Sequence, residues 1–174
     1  MSDERYKRIA EIVCYAGGEI VGRTRFQKIV YLLTAMGLED EFSFVYKHYC
    51  PYSDELAHAA KEAALLDFIG EEEKVANWGG VYSIYKTINQ DNDVAKHKDA
   101  SINQFVSFAA NSDAIELELT ATAVFLSKEG ISDPWKETAR RKPEKADADR
   151  LQRAKELYDE FRKFSVSQSL PDLN

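Results

Sequence analysis

The amino-acid sequence predicts an α+β fold that is predominantly α-helical. Apolar residues repeat at three-to-four spacing over most of the chain, as they do on the buried face of a helix. Between residues 69 and 88 the spacing changes to that of strands, on both sides of the turn-forming segment Asn77-Trp78-Gly79-Gly80. With 174 residues, 44% of them hydrophobic, the chain has the size and composition of one globular domain, which we place at 1–174.

The first half of the chain predicts three helices and one short strand. A helix over residues 3–16 should end at Gly17-Gly18, and a second over 24–36 should begin at Thr24, which has capping-box spacing to Gln27. Residues 42–49 are aromatic-rich and predict a single strand leading into Cys50-Pro51. Ser53 is then placed to cap a third helix.

The segments 69–75 and 81–88 predict a β-hairpin after the third helix. Helices followed by a terminal hairpin suggest that residues 1–88 are winged-helix-like, with packed C-terminal helices following over 89–165. Residues 117–126 begin with strand-like alternation, but their later apolar residues favour a buried helix. The remaining expectations are a polar connection over 89–101, helices over 102–109, 134–142 and 146–164, and a loose tail over 166–174.

Composition argues against several classes of protein. The formal net charge of −7 opposes general attraction to nucleic acids, and no apolar run approaches the roughly 20 residues of a membrane-spanning helix. The charged N-terminus lacks the apolar region of a secretory signal, so we expect a cytoplasmic protein. Cys14 and Cys50 lack metal-site spacing and are expected to be free thiols, and no cofactor is indicated.

Three segments resemble motifs of one family. Residues 25–33, Arg-Phe-Gln-Lys-Ile-Val-Tyr-Leu-Leu, resemble a Lys-Leu-Gln-Lys-Leu motif followed by Tyr-Leu, and residues 49–53, Tyr-Cys-Pro-Tyr-Ser, resemble a Tyr-Gly-Pro-Tyr-Ser motif. Residues 117–122, Leu-Glu-Leu-Thr-Ala-Thr, and the pair Lys142-Pro143 resemble two later elements in the same order. The chain is thereby similar to the Panacea or SocA-like antitoxin-associated family, which includes uncharacterised YwgA-like proteins. Cys50 stands where the family has glycine.

The resemblance implies a role in binding. Antitoxins of this family neutralise a toxin by direct contact, and a SocA-like protein delivers its toxin to a protease. The resemblance therefore suggests a protein partner, such as a toxin encoded nearby, and no catalytic activity.

Two groups of residues are candidates for partner contacts. The first is basic and lies at the start of the second helix, where it could meet an acidic partner or form a solvated helix face. The second is aromatic, and it could be an exposed anchor or could brace the turn around Pro51. The candidates are Arg23, Arg25, Gln27 and Lys28 in the first group, and Tyr31, Tyr46, Tyr49, Pro51 and Tyr52 in the second. A further basic run, Arg140-Arg141-Lys142, could be a charged turn or a contact surface.

Other functions have weaker support. A catalytic pair of His48 and Cys50 would share one face of a strand, but no orienting acid accompanies it, and neither His58 nor His97 lies in a motif. Glu71-Glu72-Glu73 favours a solvated strand edge over a metal site. The leading prediction is a non-enzymatic protein-binding module, and the alternative is a DNA-binding regulator whose recognition helix begins unfavourably with Asp54-Glu55.

Overall fold

The computed structural model describes residues 2–88, 99–164 and 168–173, and this part of the chain forms seven helices and five short strands. The prediction of a predominantly helical α+β fold is confirmed. The predicted connection over 89–101 lies mostly outside the described residues. The elements are α1 Ser2–Tyr15, β1 Glu19–Val21, α2 Arg23–Ala35, β2 Val45–Lys47, β3 Cys50–Tyr52, α3 Asp54–Leu65, β4 Ile69–Val75, β5 Val81–Thr87, α4 Ala100–Ala110, α5 Ala114–Lys128, α6 Pro134–Arg141 and α7 Ala148–Arg162.

These elements form two compact units, each built from two segments of the chain. The first contains Met1–Gln27 and Asp54–Asn111, and the second contains Lys28–Ser53 and Ser112–Asn174. The predicted division at residue 88 does not match these units, because residues 28–53 group with the C-terminal helices. Helix α2 begins in the first unit and ends in the second.

The first unit contains an antiparallel sheet with strand order β1-β5-β4. The predicted hairpin is present as β4 and β5, paired from Ile69 with Thr87 to Val75 with Val81. Helix α1 buries Ile9, Ile12 and Val13 within this unit, and it packs against α3, α4 and β5. In chain order the first unit contains α1, β1, the start of α2, α3, β4, β5 and α4, and the second unit contains the rest of α2 with β2 and β3.

Strand β1 was not predicted from the sequence. It has three residues, of which only Ile20 is buried, so its alternation is too short to stand out. Gly17 and Gly18 have φ values of 94° and 92°, which a residue with a Cβ rarely adopts. The glycine pair therefore ends α1, as predicted, and also turns the chain directly into β1.

Helix α5 is the central element of the second unit. Leu117 to Val124 are all buried, so the helix is enclosed on every side, and it contacts α6, α7 and β3. The Thr120 hydroxyl donates to the Ala154 carbonyl on α7 at 3.1 Å. The strand-like alternation at the start of α5 thus belongs to a buried helix, as the later apolar residues indicated.

The predicted strand over 42–49 is present as the shorter β2, Val45–Lys47, and a second strand that was not predicted, β3, follows it. The chain forms a two-stranded antiparallel hairpin, in which Tyr46 pairs with Pro51 and Lys47 with Cys50. The reversal occurs at His48 and Tyr49, whose φ values are 54° and 61°. Positive φ at both central residues is the geometry of a tight hairpin turn, which normally contains asparagine and glycine. The sequence therefore lacks the asparagine and glycine residues that would have indicated this turn.

Helix boundaries otherwise follow the sequence closely. Four aspartates cap α4, α5, α6 and α7 by accepting hydrogen bonds from first-turn amides, and α6 begins at Pro134 as expected. Helix α2 begins one residue before the predicted cap, so Thr24 lies inside the helix and Gly22 precedes it. The four capping residues are Asp99, Asp113, Asp133 and Asp147.

The predicted loose tail does not hold for residues 168–173. Leu170 and Leu173 are buried, and the Tyr158 hydroxyl donates to the Pro171 carbonyl. Two leucines in a short polar segment give no periodic signal, so this docking was not predictable from the sequence. Among the described helices, none is long and apolar enough to cross a membrane.

Candidate functional site

A buried lysine joins two parts of the second unit. Lys28, on α2, is 1% exposed, and its Nζ donates to the Pro51 carbonyl at 2.7 Å and to Cys50 Sγ at 2.9 Å. Burial lowers the pKa of Lys28, and the nearby Cys50 and Glu118 partly oppose this effect. Lys28 therefore holds strand β3 against α2 rather than meeting solvent.

A second buried charge lies on α5. The Glu118 carboxylate accepts from Lys142 Nζ at 2.5 Å and from Lys145 Nζ at 2.8 Å. The side chains of Glu118 and Lys142 are 7% and 5% exposed, whereas that of Lys145 is 46% exposed. Burial alone would raise the pKa of Glu118, but the hydrogen bonds from the two lysines outweigh it and lower the pKa. This carboxylate is therefore ionised and fully paired at neutral pH.

The motifs quoted from the sequence meet at this cluster. Lys28 belongs to the first motif, Cys50-Pro51 to the second, Glu118 to the third, and Lys142 to the Lys-Pro pair. The charges of Glu118 and Lys142 both affect the pKa of Lys28, so the four segments share one electrostatic environment. We call Lys28, Cys50, Glu118, Lys142 and Lys145 the lysine–glutamate cluster.

The β2–β3 turn presents one tyrosine to solvent. Tyr49 is 67% exposed, and the His48 ring lies edge-on to the Tyr52 ring at 5.8 Å between centroids. Left-handed backbone at a residue other than glycine costs roughly 1–3 kcal/mol, which the surrounding contacts must offset. The Lys28 bonds to Cys50 and Pro51, directly after the turn, are suited to that task.

A cavity of about 270 Å³ lies between the hairpin turn and the segment after α6. His48 and Tyr49 form one side, Glu118 contributes from α5, and residues 141–145 form the other side. The cavity is thus lined by aromatic rings and by charged groups of both signs. Its lining residues are His48, Tyr49, Glu118, Arg141, Lys142, Pro143, Glu144 and Lys145.

The other tyrosines of the predicted aromatic group brace the hairpin. Tyr46 packs against Phe125, with ring centroids 5.7 Å apart, and the Arg141 guanidinium lies 4.8 Å from the Tyr46 ring centroid. Tyr31 is 4% exposed, packs against Phe44 and Phe125, and has its pKa raised by burial. Buried Tyr31 and half-buried Tyr46 therefore serve packing, as Pro51 does, and Tyr49 remains the candidate anchor.

The predicted basic group does not form one surface. In the first unit, Arg23 pairs with Glu71 and Glu73 at 3.2 and 2.8 Å. Arg25 donates to the backbone carbonyls of Val21 and Ala110. These contacts give both arginines structural partners on β1, β4 and α4.

Burial corrects two further expectations in the same group. Gln27 and Lys28 are 4% and 1% exposed, so neither side chain can touch a partner directly. The sequence could not show this, because long polar side chains at the start of an amphipathic helix normally face solvent.

The geometric premise of a His48–Cys50 pair is also wrong. His48 is exposed on the turn, whereas Cys50 is buried next to Lys28, so the two side chains do not share a strand face. His58 is exposed on α3, and His97 lies outside the described residues.

The sequence did not indicate Glu118 or Lys145 as site residues, and it indicated Arg141 and Lys142 only as part of a basic run that could be a charged turn or a contact surface. The signal was available, because Glu118 lies in the third motif and Lys142 in the Lys-Pro pair and in the basic run 140–142. These motif positions did not predict a shared site, since the spacing between residues 118 and 142 does not indicate that their side chains meet.

The fold and cluster define a mostly helical α+β protein with a small antiparallel sheet in its first unit. The chain matches no model of a known protein family. It is similar to the uncharacterized protein YwgA of Bacillus subtilis (strain 168), with 27% identity over 121 residues, which are 68% of this chain and 72% of YwgA. Because YwgA is itself uncharacterised, this similarity suggests no activity.

Proposed function

We propose that the chain is a non-enzymatic protein-binding module of the Panacea or SocA-like kind, which neutralises or delivers a partner protein, such as a toxin, by direct contact. The observation that carries this proposal is that motifs resembling that family converge on the lysine–glutamate cluster beside the exposed Tyr49. Motif residues that build a support for an exposed aromatic side chain fit a binding role.

Tyr49 is suited to anchoring a partner. Tyrosine offers a large contact area with few rotatable bonds, and tyrosine and arginine are enriched among the residues that dominate interface energies. The strained turn holds the backbone of Tyr49 in one conformation before binding, which reduces the entropy lost on association. Arg141 and Lys145 line the adjoining cavity and could contact polar groups around the anchor.

Co-expression with the product of a neighbouring gene tests the proposal. The wild-type chain should rescue growth from a toxic neighbour and should co-purify with it. Tyr49→Ala should lose both effects while remaining folded, because it removes the anchor without opening a core cavity.

Trp78→Ala is the matched control, since Trp78 is an exposed aromatic residue on the turn of the other hairpin and is 81% exposed. It should retain rescue and co-purification. The proposal fails if no neighbouring toxic product is rescued or bound, and the assignment of the anchor fails if Trp78→Ala weakens binding as much as Tyr49→Ala.

DNA binding is the second candidate. The chain order α1, β1, α2, α3 and the β4–β5 hairpin favours it, because apart from the inserted β2–β3 hairpin this order resembles that of winged-helix domains. The solvent face of α3, the helix that would enter the groove, carries Asp54, Glu55 and Glu62 against Lys61. This balance of charge repels phosphates. A mobility shift with the chain's own promoter DNA at low salt would support this candidate, and we expect none.

A further inference from the structure

The lysine–glutamate cluster contains more positive than negative charge. Glu118 is the carboxylate that Lys142 and Lys145 share, and Lys28 is a third ammonium group in the same environment. Arg141 is already paired with Glu137 at 2.6 Å, and Glu144 is exposed at the edge of the cavity. Lys28 does not line the cavity. Around the cavity itself, four cations face three carboxylates, which leaves one positive charge in excess: Arg140, Arg141, Lys142 and Lys145 against Glu118, Glu137 and Glu144.

Burial makes this excess significant. Lys142 is 6% exposed, so water screens its charge poorly. Charged groups removed from water require compensation by an opposite charge or hydrogen bonds. An oxyanion in the cavity beside Lys142 would supply such compensation, and each ammonium group can donate three hydrogen bonds.

The cavity also has the dimensions of a small-molecule site. Its volume of about 270 Å³ is close to the lower end of the range for ligand pockets, roughly 300–1,000 Å³. His48 and Tyr49 provide flat aromatic surfaces on one side, and the ammonium group of half-exposed Lys145 lies at the other. A compact molecule with an anionic group at one end would match both features.

We propose that this cavity binds a small organic anion, whose carboxylate or phosphate group is held by Lys142 and Lys145. Glu118 positions the two lysines by accepting one hydrogen bond from Lys142 and two from Lys145, so each ammonium group keeps donor capacity that these bonds do not use. His48 and Tyr49 contact the body of the molecule. The site shares Tyr49 and Lys145 with the proposed partner surface, but anion binding requires no partner protein and is therefore tested on the chain alone.

Isothermal titration of the purified full chain tests the proposal with four probes. Glucose 6-phosphate and glutarate represent the phosphate and carboxylate classes, inorganic phosphate is the minimal anion, and glucose is the neutral match of the sugar phosphate. We expect saturable binding of at least one organic anion and none of glucose. Lys145→Met should weaken that binding by about tenfold, because a charge-assisted hydrogen bond is lost.

Lys136→Met is the control, since Lys136 is an exposed lysine on α6 that does not line the cavity. It should leave the affinity unchanged, and circular dichroism should show that both variants fold. Affinity should also fall with added salt, as expected for a partly exposed charge. Absence of saturable binding for all three anions would overturn the proposal. Equal affinity in Lys145→Met and wild type, or equal binding of glucose and glucose 6-phosphate, would also overturn it.

Discussion

Replacing Glu118 by glutamine removes the carboxylate of the lysine–glutamate cluster and preserves its size and shape. The variant leaves Lys142, which is 6% exposed, without a negative partner, and leaves Lys145 with one acceptor oxygen instead of a charge. Removing one partner of a buried ion pair is costly, because the remaining charge stays in a poorly solvated position. We expect Glu118→Gln to fold but to be clearly less stable.

The magnitude follows from the two ion pairs. A pair of unit charges about 4 Å apart contributes about 4 kcal/mol at an effective dielectric constant of about 20, which applies to Glu118 and Lys142. The half-exposed Lys145 adds about 0.5 kcal/mol, because solvent screens its charge. The glutamine oxygen of the variant still accepts a hydrogen bond, which offsets about 1 kcal/mol of the lost stability. The expected loss is therefore about 3.5 kcal/mol in the free energy of unfolding.

Urea denaturation followed by circular dichroism at pH 7 measures this loss. Glu160→Gln is the control, because Glu160 forms an exposed pair with Lys163 on α7 and its replacement should cost no more than about 0.5 kcal/mol.

The difference in stability between wild type and Glu118→Gln should depend on pH. The folded-state pKa of Glu118 is lowered from 4.5, so its stabilisation is present above the unfolded pKa and is lost as the pH falls through the folded value. The difference between wild type and Glu118→Gln should thus shrink in acid. Equal losses for Glu118→Gln and Glu160→Gln at pH 7 would refute the buried-pair reasoning.

Three further predictions concern the hairpin, the buried lysine and a glycine. The double variant His48→Asn/Tyr49→Gly should raise the free energy of unfolding by about 1 kcal/mol, because asparagine and glycine tolerate positive φ, and it should abolish partner binding in the rescue assay. Burial lowers the folded-state pKa of Lys28 from 10.5, so between the folded and unfolded pKa values the unfolded chain binds more protons than the folded chain. The stability of wild type relative to Lys28→Met should therefore rise from pH 8 to pH 10. A stability difference that stays constant over this range would contradict burial of the charge. Gly37→Ala should lower the free energy of unfolding, measured by urea denaturation, by about 1 kcal/mol, because the φ of Gly37 is 68° and the new Cβ would lie 2.8 Å from Gln168. Adding Gln168→Ala should relieve this contact but should not recover the cost of positive φ at an alanine.

The sequence predicted the elements whose signals are local. Helical periodicity located α1, α2, α3 and α7, and turn chemistry located the β4–β5 hairpin. The reversal at His48 and Tyr49 was missed, since tyrosine rarely adopts positive φ and the pair lacks the asparagine and glycine typical of such turns. Its geometry depends on contacts that residues distant in sequence provide.

The candidate site residues also differ in how well the sequence predicted their exposure. Tyr49 was selected as an aromatic anchor, and its exposure is compatible with that prediction, whereas Lys28 was selected as a surface cation and is buried. Periodicity places Lys28 on a helix but does not show what covers it. Strand β3 covers it, and that strand is more than twenty residues further along the chain.

The sequence by itself determined a helical α+β protein and a set of short motifs in a recognisable order. Only the tertiary structure decided that these motifs share one cluster. Lys28 is hydrogen-bonded to Pro51 and Lys142 to Glu118, and the charges of Glu118 and Lys142 act on Lys28. Burial then determines their roles: the same lysine side chain is a solvated surface charge when exposed and a structural hydrogen-bond donor when enclosed. A one-dimensional pattern records the residue type, but its environment arises only when the chain is packed.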